Sequence, residues 1–182
     1  MTDSGRRILS QGDCDSACFL YALANASIVL TEPKVGSKGW NDRWNTAIDA
    51  LPNPSAFLRA CTGTDAKPWE DDFGRMTPTA RKFLGAISTD PLEVELKEGV
   101  DRRHIGDFVS ETSVVIVADK YHWYVIVETD GSELYVACSA RLNDVGAAYK
   151  EKRTPALRHP YNNRIPLSEF SVWNRAFFVV ST

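Results

Sequence analysis

The spacing of apolar residues changes period part-way along this chain. Ala17, Leu20, Tyr21, Ala24 and Ile28 recur at helical intervals, and Asp13 ahead of them is a residue type that caps helices. The spacing predicts a helix over 14–30, buried on most faces and ended by Pro33 and Gly36. A second helix is predicted over 40–51, with Trp40 and Trp44 packing it onto a neighbour. A third is predicted over 54–61, between Asn53 and Gly63. The acidic, aromatic stretch 63–74 reads as a loop. Thr77 then caps a helix with Pro78 at its first position, running to about residue 84.

From residue 92 the period becomes two. Leu92-Glu93-Val94-Glu95-Leu96 alternates as a half-exposed strand does, and 104–109 forms a short helix. The β-branched run 112–118 suits a central strand. Two further apolar runs, 122–127 and 133–139, flank Asp130-Gly131, a strong hairpin signal. A short helix from Ser168 through Trp173 and a last strand over 176–180 complete the pattern. Helices first and antiparallel strands after predict an α+β fold in a single domain, 1–182.

Composition narrows the function classes. The chain has 182 residues, enough to bury a core without disulfides. Charged residues make up 25% and the net charge is −3, with no basic stripe, so neither nucleic acid nor an anionic membrane is an expected partner. No segment approaches the roughly 18 apolar residues of a membrane span, and no apolar segment of secretory type follows the N-terminus. The expected location is the cytoplasm, or export by a secretion system that needs no signal. The four cysteines, Cys14, Cys18, Cys61 and Cys138, then default to reduced thiols. Their spacing lacks the second Cys or His pair of a structural zinc site, so no metal or other cofactor is expected.

Candidate chemistry centres on Gln11-Gly12-Asp13-Cys14-Asp15-Ser16-Ala17-Cys18. A polar turn here delivers a cysteine to the first turn of a buried helix. Helix N–H groups and the helix dipole lower a thiol's pKa at that position and supply donors for an oxyanion. Cys14 is the expected nucleophile on this ground, with Cys18 as the alternative. The flanking Asp13 and Asp15 oppose ionisation and make an imidazolium partner more necessary. Of the three histidines, His104 lies in a charged surface stretch and His159 in a loop beside Pro160, whereas His122 opens an apolar strand. His122 is therefore the expected base. A two-residue Asp130–Gly131 loop would set Ser139 opposite His122, where its hydroxyl could orient the ring. Asn143 and Asp144 lie just beyond.

These residues resemble the papain-like clan of cysteine peptidases, and most closely its bacteriocin-processing, double-glycine-leader peptidase family. That family's Asp-Cys-Gly-x-Ala-Cys pattern stands here as Asp13-Cys14-Asp15-Ser16-Ala17-Cys18. Its histidine strand and hairpin stand as His122-Trp123-Tyr124-Val125, and its C-terminal Phe, Trp and apolar strand as Phe170, Trp173 and the residues to Val180. Three positions depart from the pattern. Asp15 replaces the glycine after the nucleophile, Cys138-Ser139 replaces the Asp-Pro of the third triad position, and Ile8 stands at the position of the oxyanion glutamine. Gln11 lies only three residues before Cys14 and could donate across a different turn. The resemblance implies a papain-like fold, with the nucleophile at the N-terminus of a buried helix packed on a C-terminal antiparallel sheet. It implies a thiol peptidase acting on a peptide or protein substrate through a Cys–His acyl-enzyme. Glutamine deamidation on the same scaffold, or an inactive binding module, are the alternatives. Oligomeric state cannot be read from these residues.

Overall fold

The computed structural model describes residues 8–9, 17–55, 73–118, 122–139, 157–172 and 175–182. Its elements are α1 (Cys18–Thr31), α2 (Lys38–Asp49), α3 (Phe73–Ile87), β1 (Glu93–Glu98), a 3-10 helix (Arg102–Phe108), β2 (Ser113–Ala118), β3 (Trp123–Thr129), β4 (Glu133–Cys138), β5 (Asn163–Pro166) and β6 (Ala176–Ser181). The fold is α+β, with helices mostly ahead of the strands. Residues 54–55 are helical, at the start of the third predicted helix; the remainder of that helix and most of the loop predicted after it lie outside the described residues.

α1 is apolar on nearly all sides, and ten of its residues are buried. It begins four residues later than expected. Ala17, not Asp13, is its N-cap, with no side-chain cap hydrogen bond among the described residues. α2 starts as its sequence suggests: Ser37 Oγ accepts from the Trp40 N–H at 3.2 Å. Trp40 and Ala47 form its buried face, and Trp44 meets Tyr21 and Phe83 at ring-centroid distances of 5.5 and 5.7 Å.

α3 starts upstream of the expected Thr77–Pro78 cap. Pro78 lies inside the helix, and the Thr77 hydroxyl donates to the Phe73 carbonyl at 2.8 Å instead of capping. Burial explains the extension. Phe73, Met76, Ala80, Phe83, Leu84 and Ile87 follow one helical stripe, each at most 5% exposed. Packing of the first turn outweighs the hydrogen bond that proline cannot make.

The six strands form one antiparallel sheet in the order β1-β6-β2-β3-β4-β5. Helices α1 and α3 cover one face, over Val114, Ile116, Val125, Ala137 and Phe178. The 3-10 helix and the segment 165–172 cover the other, over Val115, Val117, Tyr124, Ile126 and Phe177. Two covered faces account for the unbroken apolar runs of β2 and β3. The helix expected from Ser168 is absent among the described residues, where 167–169 make a turn. β5, which carries a proline and a single aliphatic residue, sits at an edge of the sheet, where such a strand is tolerated.

The hairpin forms, but not around Asp130-Gly131. Thr129 pairs with Leu134, and Asp130 N–H donates to the Glu133 carbonyl at 3.3 Å, so Gly131 and Ser132 are the central residues. Gly131 has φ 89°, the sign that a type II′ turn requires at its first central position. Asp130 Oδ1 accepts from the N–H groups of Ser132 and Glu133 and from the Ser132 hydroxyl, at 2.8–2.9 Å. A bulge between Ile126 and Glu128 then shifts the register by one residue.

Candidate functional site

An aromatic cluster fixes where the first helix meets the sheet. Phe19, the second residue of α1, packs edge-on against Trp123, the first residue of β3, with ring centroids 4.8 Å apart. Phe178 of β6 lies 5.7 Å from Phe19 and 6.1 Å from Trp123. Phe73, which opens α3, is 5.9 Å from both Trp123 and Phe178. Four rings thus tie the N-termini of two helices to the start of β3. The backbone neighbours of this contact are Cys18 on the helix and His122 on the strand.

Cys18 is the first residue of α1 and is half-buried, leaning on the helix-side core. The helix-start placement expected of Cys14 therefore belongs to Cys18. Gln11 and Cys14 lie outside the described residues. Neither Cys18 nor Cys138 is in a disulfide.

His122 directly precedes β3 and is half-buried. Its ring lies alongside that of Tyr124, at 6.4 Å and 23° between planes. Two residues apart on an extended chain share a face, so His122 stands with Tyr124 and Cys138 rather than with Trp123. Ser139 follows β4 and is 1% exposed. Its expected position opposite His122 is corrected by the register. Tyr124 pairs with Cys138, and one further step sets Ser139 beside Trp123. The turn centre and the bulge together account for that one-residue difference.

Of the other histidines, His104 is exposed, with Nδ1 3.2 Å from Asp107 Oδ2. Its neighbour Asp101 is held well below the usual carboxylate range, chiefly by the hydrogen bond from the Arg103 side chain. His159 lies half-buried in the loop before Tyr161.

Two asparagines near the site escaped the sequence reading. Asn25, 0% exposed within α1, holds Leu9 at two points: Oδ1 accepts from the Leu9 N–H at 2.7 Å, and Nδ2 donates to its carbonyl at 3.2 Å. Asn162 does the same to Cys138, at 2.9 and 2.8 Å. The signal for Asn25 was present, as a polar residue interrupting the apolar run 18–30. For Asn162 there was none, because its role depends on a strand pairing the sequence did not reveal.

Among the described residues, no group of three or more His, Cys, Asp or Glu side chains could hold a metal ion, and no helix is long and apolar enough to cross a membrane. No protein-family model, curated protein or solved structure matches the chain.

Proposed function

We propose that this chain is a papain-like cysteine hydrolase of amide bonds, with His122 as its base and Cys14 as its nucleophile. The observation that carries the reading is the Phe19–Trp123 contact, which brings the start of α1 to the start of β3; the His122 ring lies with Tyr124 on the face away from Trp123, so it turns about its Cα–Cβ bond to meet a thiol there. A cysteine at that helix start and a histidine at that strand start are the two groups the chemistry needs.

The imidazole of His122 takes the thiol proton, and the thiolate attacks the amide carbonyl carbon. Charge collects on the carbonyl oxygen, facing N–H donors of the kind a helix N-terminus presents, with the Gln11 amide as a further donor. The C–N bond breaks as the imidazolium protonates the departing nitrogen. Water, deprotonated by His122, then releases the acyl group. The acceptor amide lies in a peptide or protein, as a backbone amide in the peptidase reading and as a glutamine side chain in the deamidase reading.

Cys18 competes with Cys14 because α1 begins there. Its side chain leans on the helix-side core, whereas Cys14 carries the motif that the resemblance rests on. Chain length keeps both sulfurs in play, as four residues span at most about 14 Å.

The test is alkylation by iodoacetamide at pH 6, where an ordinary thiol reacts slowly, read by mass spectrometry on wild type, Cys14→Ala, Cys18→Ala and His122→Ala. Preferential labelling of Cys14 that is lost in His122→Ala supports the reading. Preferential labelling of Cys18 transfers the nucleophile to that residue. Labelling of neither above an unfolded control, or labelling indifferent to His122, ends the hydrolase proposal in favour of a binding module.

A further inference from the structure

We propose that Asn162 is a positioning residue for this site, holding the end of β4 in the register that carries Tyr124 and His122. The proposal rests on the cysteine-hydrolase reading above.

β5 pairs with β4 only between Glu133 and Val136. Past Val136 the outer edge of β4 needs another partner, and Asn162 supplies it. Its own N–H donates to the Val136 carbonyl at 3.0 Å. Its side chain then accepts from the Cys138 N–H at 2.9 Å and donates to the Cys138 carbonyl at 2.8 Å. One amide side chain thus stands in for a missing strand residue. Cys138 is 3% exposed, so loss of this partner would strand two buried main-chain groups at once.

The consequence crosses the sheet. With both main-chain groups of Cys138 turned outward to Asn162, its pairing with Tyr124 is of the non-hydrogen-bonded kind, which brings side chains closest. The Tyr124 ring in turn lies alongside His122. A side chain bonded to the main chain of Cys138 therefore holds the strand end from which the imidazole is oriented. Asn suits the task because it alone among short side chains offers a donor and an acceptor in one plane. Leucine offers neither, and aspartate keeps only the acceptor while ionised.

The experiment compares wild type, Asn162→Leu and Asn162→Asp in the full chain, with Arg164→Leu as a neighbouring β5 control. The Asp variant is nearly isosteric and guards against a Leu variant that fails to fold. Two quantities are read: the pH profile of cysteine alkylation by iodoacetamide, and the NMR titration of the His122 ring. In folded Asn162→Leu, alkylation at pH 6 should fall by on the order of 100-fold, as small misplacements of catalytic groups do, and the His122 midpoint should move. Asn162→Asp should fall between Leu and wild type, and Arg164→Leu should match wild type. A folded Asn162→Asp with unchanged alkylation and unchanged His122 titration overturns the positioning role and leaves the hydrolase reading standing. A wild type with no preferentially alkylated cysteine overturns both.

Discussion

Replacing Phe19 by leucine separates the stability of the helix–sheet seam from its part in the proposed chemistry. Phe19 is 4% exposed, and its ring meets Trp123 at 4.8 Å and Phe178 at 5.7 Å. Each aromatic pair contributes about 0.5–1.5 kcal/mol beyond the area it buries, so losing both costs about 1–3 kcal/mol. Phe83 provides the comparison. It is 0% exposed on α3, with its ring 5.7 Å from Trp44 and away from the start of β3. Phe83→Leu loses one pair, plus a cavity in a fully buried site, and should cost a similar 1–3 kcal/mol, roughly. A domain with about 5–15 kcal/mol in hand stays folded in either case. Urea denaturation gives the two stability losses, and iodoacetamide alkylation at pH 6 gives the activation of the cysteine. The expected result is comparable destabilisation with alkylation reduced only in Phe19→Leu. If alkylation falls equally in both variants, or in neither, the Phe19–Trp123 contact does not set the site, and the observation carrying the functional reading is withdrawn.

Four further substitutions test the fold around that seam. Asn25→Leu removes both bonds to Leu9 and leaves part-buried main-chain groups behind; it should cost about 1–3 kcal/mol in urea denaturation and speed hydrogen exchange at the Leu9 amide, and a cost near zero would contradict the clamp. Ser27 Oγ is buried and has no hydrogen-bond partner among the described residues, so Ser27→Ala should leave stability unchanged or raise it by up to about 2 kcal/mol; a loss above about 1 kcal/mol would mean the hydroxyl is bonded after all. Pro78→Ala restores an N–H inside α3 and should raise stability by a net of about 1–2 kcal/mol once the freer unfolded chain is allowed for, seen as a higher Tm, with an unchanged or lower Tm refuting the placement of Pro78 in the helix interior. Asp130 is held well below the usual carboxylate range by the N–H groups of Glu133 and Ser132 and the hydroxyls of Ser132 and Tyr135. A lowered folded-state pKa stabilises fully above the unfolded value of about 4 and progressively less as pH falls below it, so Asp130→Asn should flatten the acid side of the stability–pH curve, and parallel curves down to pH 3 would refute this.

The order of elements was legible because burial leaves a period in the sequence. β2 and β3 are covered on both faces, and their continuous β-branched runs say so. Ser37 marks the start of α2 through a hydroxyl that does accept the Trp40 N–H. What misled was polar punctuation that tertiary burial overrode. Thr77-Pro78 has the form of a helix start, yet Phe73 and Met76 bury deeply enough to carry α3 upstream through it. Asp130-Gly131 has the form of a two-residue turn, yet Asp130 serves as the anchor before the turn, and the bulge past Ile126 moves the register again. A one-residue slip exchanges the two faces of a strand, so the partner expected for His122 changed with it.

The cysteine half of the site was less legible than the histidine half, for a physical reason. His122 is located by a strand whose neighbours are fixed on both sides, so its address follows from the sheet. The address of a helix-start cysteine depends on where the helix starts, and α1 is apolar on almost every side, with no amphipathic edge to mark its first turn. Asp13 supplied a plausible cap, but α1 begins at Cys18 with Ala17 as its N-cap. In that first turn Phe19 reaches Trp123 and Phe178, which ties it to the sheet. The observed start of α1 transfers the helix-dipole argument from Cys14 to Cys18. It leaves Cys14 supported by its motif, and it makes the separate alanine variants of the two cysteines the measurement on which the assignment turns.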